Sequence, residues 1–149
     1  MAQATTVRGS KLLVKLGDGA TPEQFVHNCT INNQRGIQLS ANTNDTNVPD
    51  CDDPDLMAWV EREKVSLSAS VTGEGTLNAP DVDIFWDWFS DSDARNAKIV
   101  LDIPGASGGR IFTGAWHCTG FEVSGTRGEK VTCSITLQSS GILVKSNNT

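Results

Sequence analysis

From Val65 to Thr72 the chain alternates without a break. Val65, Leu67, Ala69 and Val71 fall on one side, and Ser66, Ser68, Ser70 and Thr72 on the other. Period 2 with β-branched residues specifies a strand with one apolar face. The polar face carries only small hydroxyls, with no charge before Glu74. Gly73 and Gly75 are expected to loosen the strand. A helix then opens near Pro80, whose missing N–H suits a first helical position, with Asn78 or Ala79 as cap and Asp81 and Asp83 favouring the positive end of the dipole.

Along that helix Val82, Phe85, Trp86 and Phe89 recur at i, i+3, i+4 and i+7, opposite Asp83, Asp87, Ser90 and Asp91. Ile84 and Trp88 lie between the two stripes. The apolar arc is therefore wider than one packing face needs. The helix is expected to close one end of a β-structure, with the Ile84/Trp88 edge available to a neighbouring subunit.

A second run shares the neutral polar face. In the strand expected from Ile31 to about Asn44, Ile37, Leu39 and Ala41 face inward, while Gln38, Ser40, Asn42 and Asn44 face outward. Two long strands with uncharged wet faces read as a hairpin whose exposed side does not adhere. Residues 45–63 would join them as a long loop. That loop holds Asp50, Asp52, Asp53 and Asp55, and Asp53-Pro54 predicts a short helix striped by Leu56, Met57, Trp59 and Val60. The carboxylates lack the glycine and spacing of an EF-hand, so they read as a solvated loop rather than a calcium site. The apolar stripe needs a partner, either the subunit's own core or an adjacent subunit.

Strands are further expected at Ser10–Leu16, ended by the turn Gly17-Asp18-Gly19, and at Phe25–Thr30, Ala97–Ile103, Arg110–Ser124, Glu129–Ser139 and Ile142–Lys145. Apolar parity switches between Trp116 and Phe121, which predicts a bulge near Gly120. Residues 1–9 and 146–149 read as flexible tails of a single domain spanning 1–149. The expected fold is mainly β: a two-sheet sandwich or barrel with one flanking α-helix and a long hairpin loop.

Composition narrows function. The formal net charge of −6 and pI near 4.7 argue against a direct grip on nucleic acid or an anionic membrane. No run is long and apolar enough for a membrane span, and MAQATTVRGSK has no apolar leader region, so synthesis in the cytoplasm is expected. Cys29, Cys51, Cys118 and Cys133 show no metal spacing. Cys133 alternates with Val131 and Ile135 as a buried residue would, and Cys118 and Cys133 could meet on paired strands. His27 and His117 are isolated. No nucleophile–base pair, phosphate loop or metal motif is present, so no enzymatic activity, metal or cofactor is expected.

Three stretches carry a resemblance. Gly9–Gly19 (GSKLLVKLGDG), Val65–Leu77 (VSLSASVTGEGTL) and Gly128–Gly141 (GEKVTCSITLQSSG) resemble, in order and spacing, the major tail tube proteins of long-tailed phages. The likeness is strongest to the TP901-1-type group, also represented in gene transfer agents, and it runs from Gly9 to Val144. It implies stacked hexameric rings forming a hollow tail tube in the virion. It also implies a tape-measure protein inside during assembly, tail-end proteins at its limits, and DNA passing without specific binding. On that reading Gln38, Ser40, Asn42, Ser66, Ser68, Ser70 and Thr72 line the lumen. Leu56, Met57, Trp59, Val60, Ile84 and Trp88 make intersubunit contacts. Two other readings remain: a secretion-system tube protein of similar fold, and a monomeric carbohydrate-binding sandwich using Trp116 or Trp59 as a stacking platform.

Overall fold

The computed structural model describes residues 2–17, 23–27 and 31–148. The chain is mainly β, with eight strands and one α-helix among them. The strands are β1 Leu12–Gly17, β2 Phe25–His27, β3 Gln34–Val48, β4 Trp59–Thr76, β5 Arg95–Leu101, β6 Arg110–Ser124, β7 Thr132–Ser139 and β8 Val144–Asn147; the helix α1 is Asp81–Ser90. Hydrogen bonding draws one sheet in the order β2-β1-β5-β6-β7-β4-β3, with β8 also paired to β6, rather than the two separate sheets expected. The Gly17-Asp18-Gly19 turn and the end of the second expected strand lie outside the described residues, as does Cys29.

The chain divides into two compact units, a body (residues 1–38 and 69–149) and a hairpin (39–68). In the body, β1, β5, β6, β7 and the end of β4 turn one face inward through Val14, Leu16, Ala97, Ile99, Trp116, Cys118, Ile135, Leu137, Ala69 and Val71. The bulge forms where parity required it, between Cys118 and Gly120. It lets Trp116 and Cys118 before it, and Phe121 after it, all join the core.

Helix α1 covers that core with a different face from the one its spacing marks. Phe85 and Trp88 are buried, whereas Trp86 and Phe89 are 59% and 49% exposed and pack their rings together at 6.2 Å. Trp88 is therefore a core residue, not a free edge. Its indole Nε1–H donates to the Trp116 carbonyl at 3.0 Å, and Phe85 stacks on Phe121 at 5.2 Å. Those partners on β6 select the Phe85/Trp88 face, because a buried indole N–H needs an acceptor. At the helix start, Asn78 Nδ2 donates to the Asp81 carboxylate at 3.1 Å, and Pro80 stands just before the first helical residue.

Gly73 and Gly75 do not interrupt β4, which stays paired to β7 through both. Gly73 instead makes room: a Cβ there would lie 2.7 Å from Ile31 Cγ2, and Ile31 is almost wholly buried. The C-terminus is also held. Asn148 donates from Nδ2 to the Ile103 carbonyl at 2.7 Å and from its backbone N–H to Gly109 at 3.1 Å, so residues 146–148 are not the free tail expected.

The hairpin has no core of its own. Every residue from 39 to 68 is exposed, because two strands offer each other no buried face. The expected 45–63 loop shrinks to 49–58, since β3 continues to Val48 and β4 begins at Trp59. No helix forms after Asp53-Pro54. Leu56 N–H bonds the Asp53 carbonyl in a single turn, and Trp59 and Val60 enter the strand instead. A helix of one or two turns cannot offset its nucleation cost against a strand ladder already in place.

Candidate functional site

Within the hairpin the neutral polar residues meet side chain to side chain. The Ser40 and Ser68 hydroxyls are 2.9 Å apart, and Asn42 Nδ2 donates to Ser66 Oγ at 3.1 Å. These bonds put Ser40, Asn42, Ser66 and Ser68 on one face, as the alternation predicted. By the same alternation Leu39, Ala41, Val65 and Leu67 take the other face, where Leu39, Val65 and Leu67 are 60%, 57% and 77% exposed. They were expected to point into the subunit's core, and they do not. Farther along, Arg62 Nε meets the Asp45 carboxylate at 3.2 Å between two exposed side chains, an ion pair worth little in water.

In the body, Gln38 and Thr72 are exposed and Ser70 is half-buried. Opposite Ser70, Thr72 and Glu74 stand Gln138, Thr136 and Ser134 of β7. Gln138 and Thr136 prolong the uncharged face, which ends at Ser134 between Glu74 and Glu122; none of the three is among the expected lining residues. Their signal was available, since they alternate with Cys133, Ile135 and Leu137 just as the β4 hydroxyls alternate with their own apolar partners.

The loop at the hairpin's end is organised by its own carboxylates. Asp50 Oδ1 accepts the backbone N–H groups of Asp52 at 2.8 Å and Asp53 at 3.1 Å, and Asp53 Oδ1 accepts that of Asp55 at 3.3 Å. Such turns are the ordinary use of aspartate in a loop. Beside them Met57 and Trp59 are 94% and 86% exposed, and Leu56 and Val60 are exposed too. On the body, Ile84 is exposed with Trp86 and Phe89. Trp86 and Phe89 belong to the stripe that the helical spacing marks for packing, so they are absent from the expected contact set although both are exposed.

Other candidates are placed elsewhere. Trp116 is fully buried and cannot serve as a stacking platform, whereas Trp59 could. Cys118 and Cys133 do lie on paired strands, but Cys118 faces Leu137 and Cys133 faces Val123. At about 3.3 Å per residue that separates them by well over 10 Å, beyond any disulfide. Burial pushes both thiol pKa values up; a backbone hydrogen bond with Gly120 opposes the shift at Cys118, and the Asp81 carboxylate adds to it at Cys133. A polar groove of about 370 Å³ is lined by Asn33, Glu74, Thr76, Glu122, Ser124 and Ser134 among others. Among the described residues no three potential metal-ligating side chains converge, and no helix is long and apolar enough to cross a membrane.

The model of the phage tail tube protein family matches residues 6–145. No curated protein matches. Chains of similar fold occur in solved structures. A chain in the virion of a native gene transfer agent particle superposes with a TM-score of 0.74 at 21% identity, covering 95% of this chain and 99% of that one. One in the tail of an empty gene transfer agent particle, refined with C6 symmetry, gives 0.72 at 21%, covering 97% and 100%. The SPP1 tail tube gives 0.63 at 14%, covering 96% and 80%.

Proposed function

Because the chain belongs to the phage tail tube protein family, we propose that its subunits close into hexameric rings that stack into a hollow tube in the virion tail. The observation that carries this reading beyond membership is the hairpin. It is two-stranded and wholly exposed, and over residues 39–42 and 65–68 it is uncharged and hydrogen-bonded on one face and apolar on the other. A hairpin of that kind is marginal alone in water and gains stability only against another surface. Covering each large apolar side chain stabilises by roughly 1.5–3 kcal/mol, so Leu39, Val65 and Leu67 together favour assembly strongly. The C6 symmetry of the gene transfer agent tail supports six subunits per ring.

In the ring, Ser40, Asn42, Ser66 and Ser68 of the hairpin, with Gln38, Ser70 and Thr72 of the body, line the bore. The hydroxyls and amides of these seven residues keep the bore wet without themselves offering cations to phosphate, so DNA slides past them unbound and the acidic subunit adds repulsion. The tube takes a tape-measure protein inside during assembly and tail-end proteins at its limits. Leu56, Met57, Trp59, Val60 and Ile84 make the contacts between subunits; Trp88 is withdrawn from that set by its burial. The role is structural and non-catalytic, and the subunit is made in the bacterial cytoplasm.

The test is labelling of assembled Ser68→Cys tubes. A small maleimide reaches position 68, and one too bulky for the bore does not. Equal labelling by both reagents refutes the lumen assignment, and purified protein that gives no rings or tubes under the electron microscope refutes assembly itself.

A further inference from the structure

Residues 39–68 contain seven carboxylates and two basic side chains, and so carry −5 of the chain's formal −6. At the hairpin's end, residues 49–58 hold Asp50, Asp52, Asp53 and Asp55 with no basic residue. The body carries the other basic residues. There, Lys15 on β1 stands directly opposite Lys98 on β5. Both belong to the sheet face opposite Val14, Leu16, Ala97 and Ile99, and both are half-buried. Like charges placed directly across two strands destabilise a sheet.

Neither lysine has an ion-pair partner among the described residues. Lys98 Nζ is held 4.3 Å above the centre of the Phe25 ring. Glu23, a carboxylate close to this row, lies over Gly17 and accepts from Asn96 Nδ2 at 2.9 Å. Lys98 is thus held in place beside a like charge, an arrangement that an external anion would relieve.

We infer that the acidic tip of one copy's hairpin seats on the Lys15/Lys98 pair of a second copy. This docking rests on the tube reading and names the partner surface that the tip finds. Charge complementarity commits the occupant to a second copy: the tip is the densest run of negative charge in the chain, and its loop is shaped by the Asp50 and Asp53 turns before any partner arrives. Met57 and Trp59 then bury beside the ionic contact, which selects the register while the apolar residues hold it. Exposed ion pairs contribute little to affinity. The signature therefore belongs in assembly rate and its salt dependence.

Assembly of the full chain is followed by light scattering and electron microscopy at low and high sodium chloride. The variants are K15E/K98E, K15Q/K98Q, D52K/D55K and K15E/K98E combined with D52K/D55K. Asp52 and Asp55 are chosen because their carboxylates do not shape the loop. At low salt each charge reversal is expected to slow assembly on the order of tenfold, the glutamine pair less so, and the combined variant to recover most of the rate. High salt brings all of them together. The monomer urea curve of K15Q/K98Q should match or exceed wild type, since a repulsion has been removed, whereas K15E/K98E exchanges one like-charged pair for another. Normal assembly of the single reversals, or no recovery in the combination, overturns the docking and leaves the tube reading standing. Loss of retention on a DNA column by K15E/K98E with assembly unchanged assigns the pair to phosphate and overturns it too. Wild-type protein that never forms rings takes both readings down.

Discussion

Replacing Trp88 by phenylalanine isolates the contact that orients α1. The indole Nε1–H donates to the Trp116 carbonyl at 3.0 Å inside the core, and Trp88 is 2% exposed. Phenylalanine removes the donor, which leaves the carbonyl short of a partner at a cost of about 1–3 kcal/mol. It also empties the space of part of the indole, at about 0.8 kcal/mol per methylene-sized group and roughly two such groups. The sum is about 2–5 kcal/mol, a large part of a typical stability of about 5–15 kcal/mol. With an m-value of about 2 kcal/mol/M, the urea midpoint of the monomer falls by at least about 1 M. Trp86→Phe on the same helix, at an exposed site, should stay within about 0.5 kcal/mol. A Trp88→Phe protein as stable as wild type, or a Trp86→Phe protein destabilised as much, refutes the assigned helix face.

Gly73→Ala is expected to destabilise the body by about 1–3 kcal/mol, because its Cβ meets Ile31 at 2.7 Å. Ile31→Val in that background should recover part of the loss, whereas in the wild type it costs about 0.5–1.5 kcal/mol; equilibrium unfolding of the four proteins closes the cycle. Cys51 should react with a thiol reagent in the folded monomer while Cys118 and Cys133 wait for unfolding, as mass spectrometry of labelled peptides would show. Since burial raises the pKa of both buried thiols above 9.0, they stay protonated longer in the folded state. Stability should therefore fall as pH rises through that value, with no contribution from them at neutral pH. Trp59→Ala should leave the monomer's urea curve unchanged, because the side chain is 86% exposed, and should abolish tube growth seen by electron microscopy.

Much of the body was legible along the chain. Strict alternation in β4 and β7, glycine and proline at the turns, and the parity switch around Gly120 are local signals, and local backbone geometry honours them. The shared neutral face was legible for the same reason, since period 2 assigns a side before any partner is known. What alternation cannot assign is which side is dry. Leu39, Val65 and Leu67 read as inward because apolar faces usually are, yet two strands supply nothing to cover them.

The rest was decided by tertiary contacts. The periodicity of α1 offers several apolar arcs of similar width, and only the Trp116 carbonyl and the Phe121 ring make Trp88 and Phe85 the buried ones. Gly73 reads as a weak point in a strand until Ile31, far away in sequence, proves to need the space. The Asp53-Pro54 start signal is genuine but worth only a turn, because strand pairing claims Trp59 and Val60. Sequence by itself determined the elements and the chemistry of their faces, since both follow from neighbours a few residues apart. Which face is buried was left to the tertiary structure, because burial depends on atoms the chain brings together only when it folds.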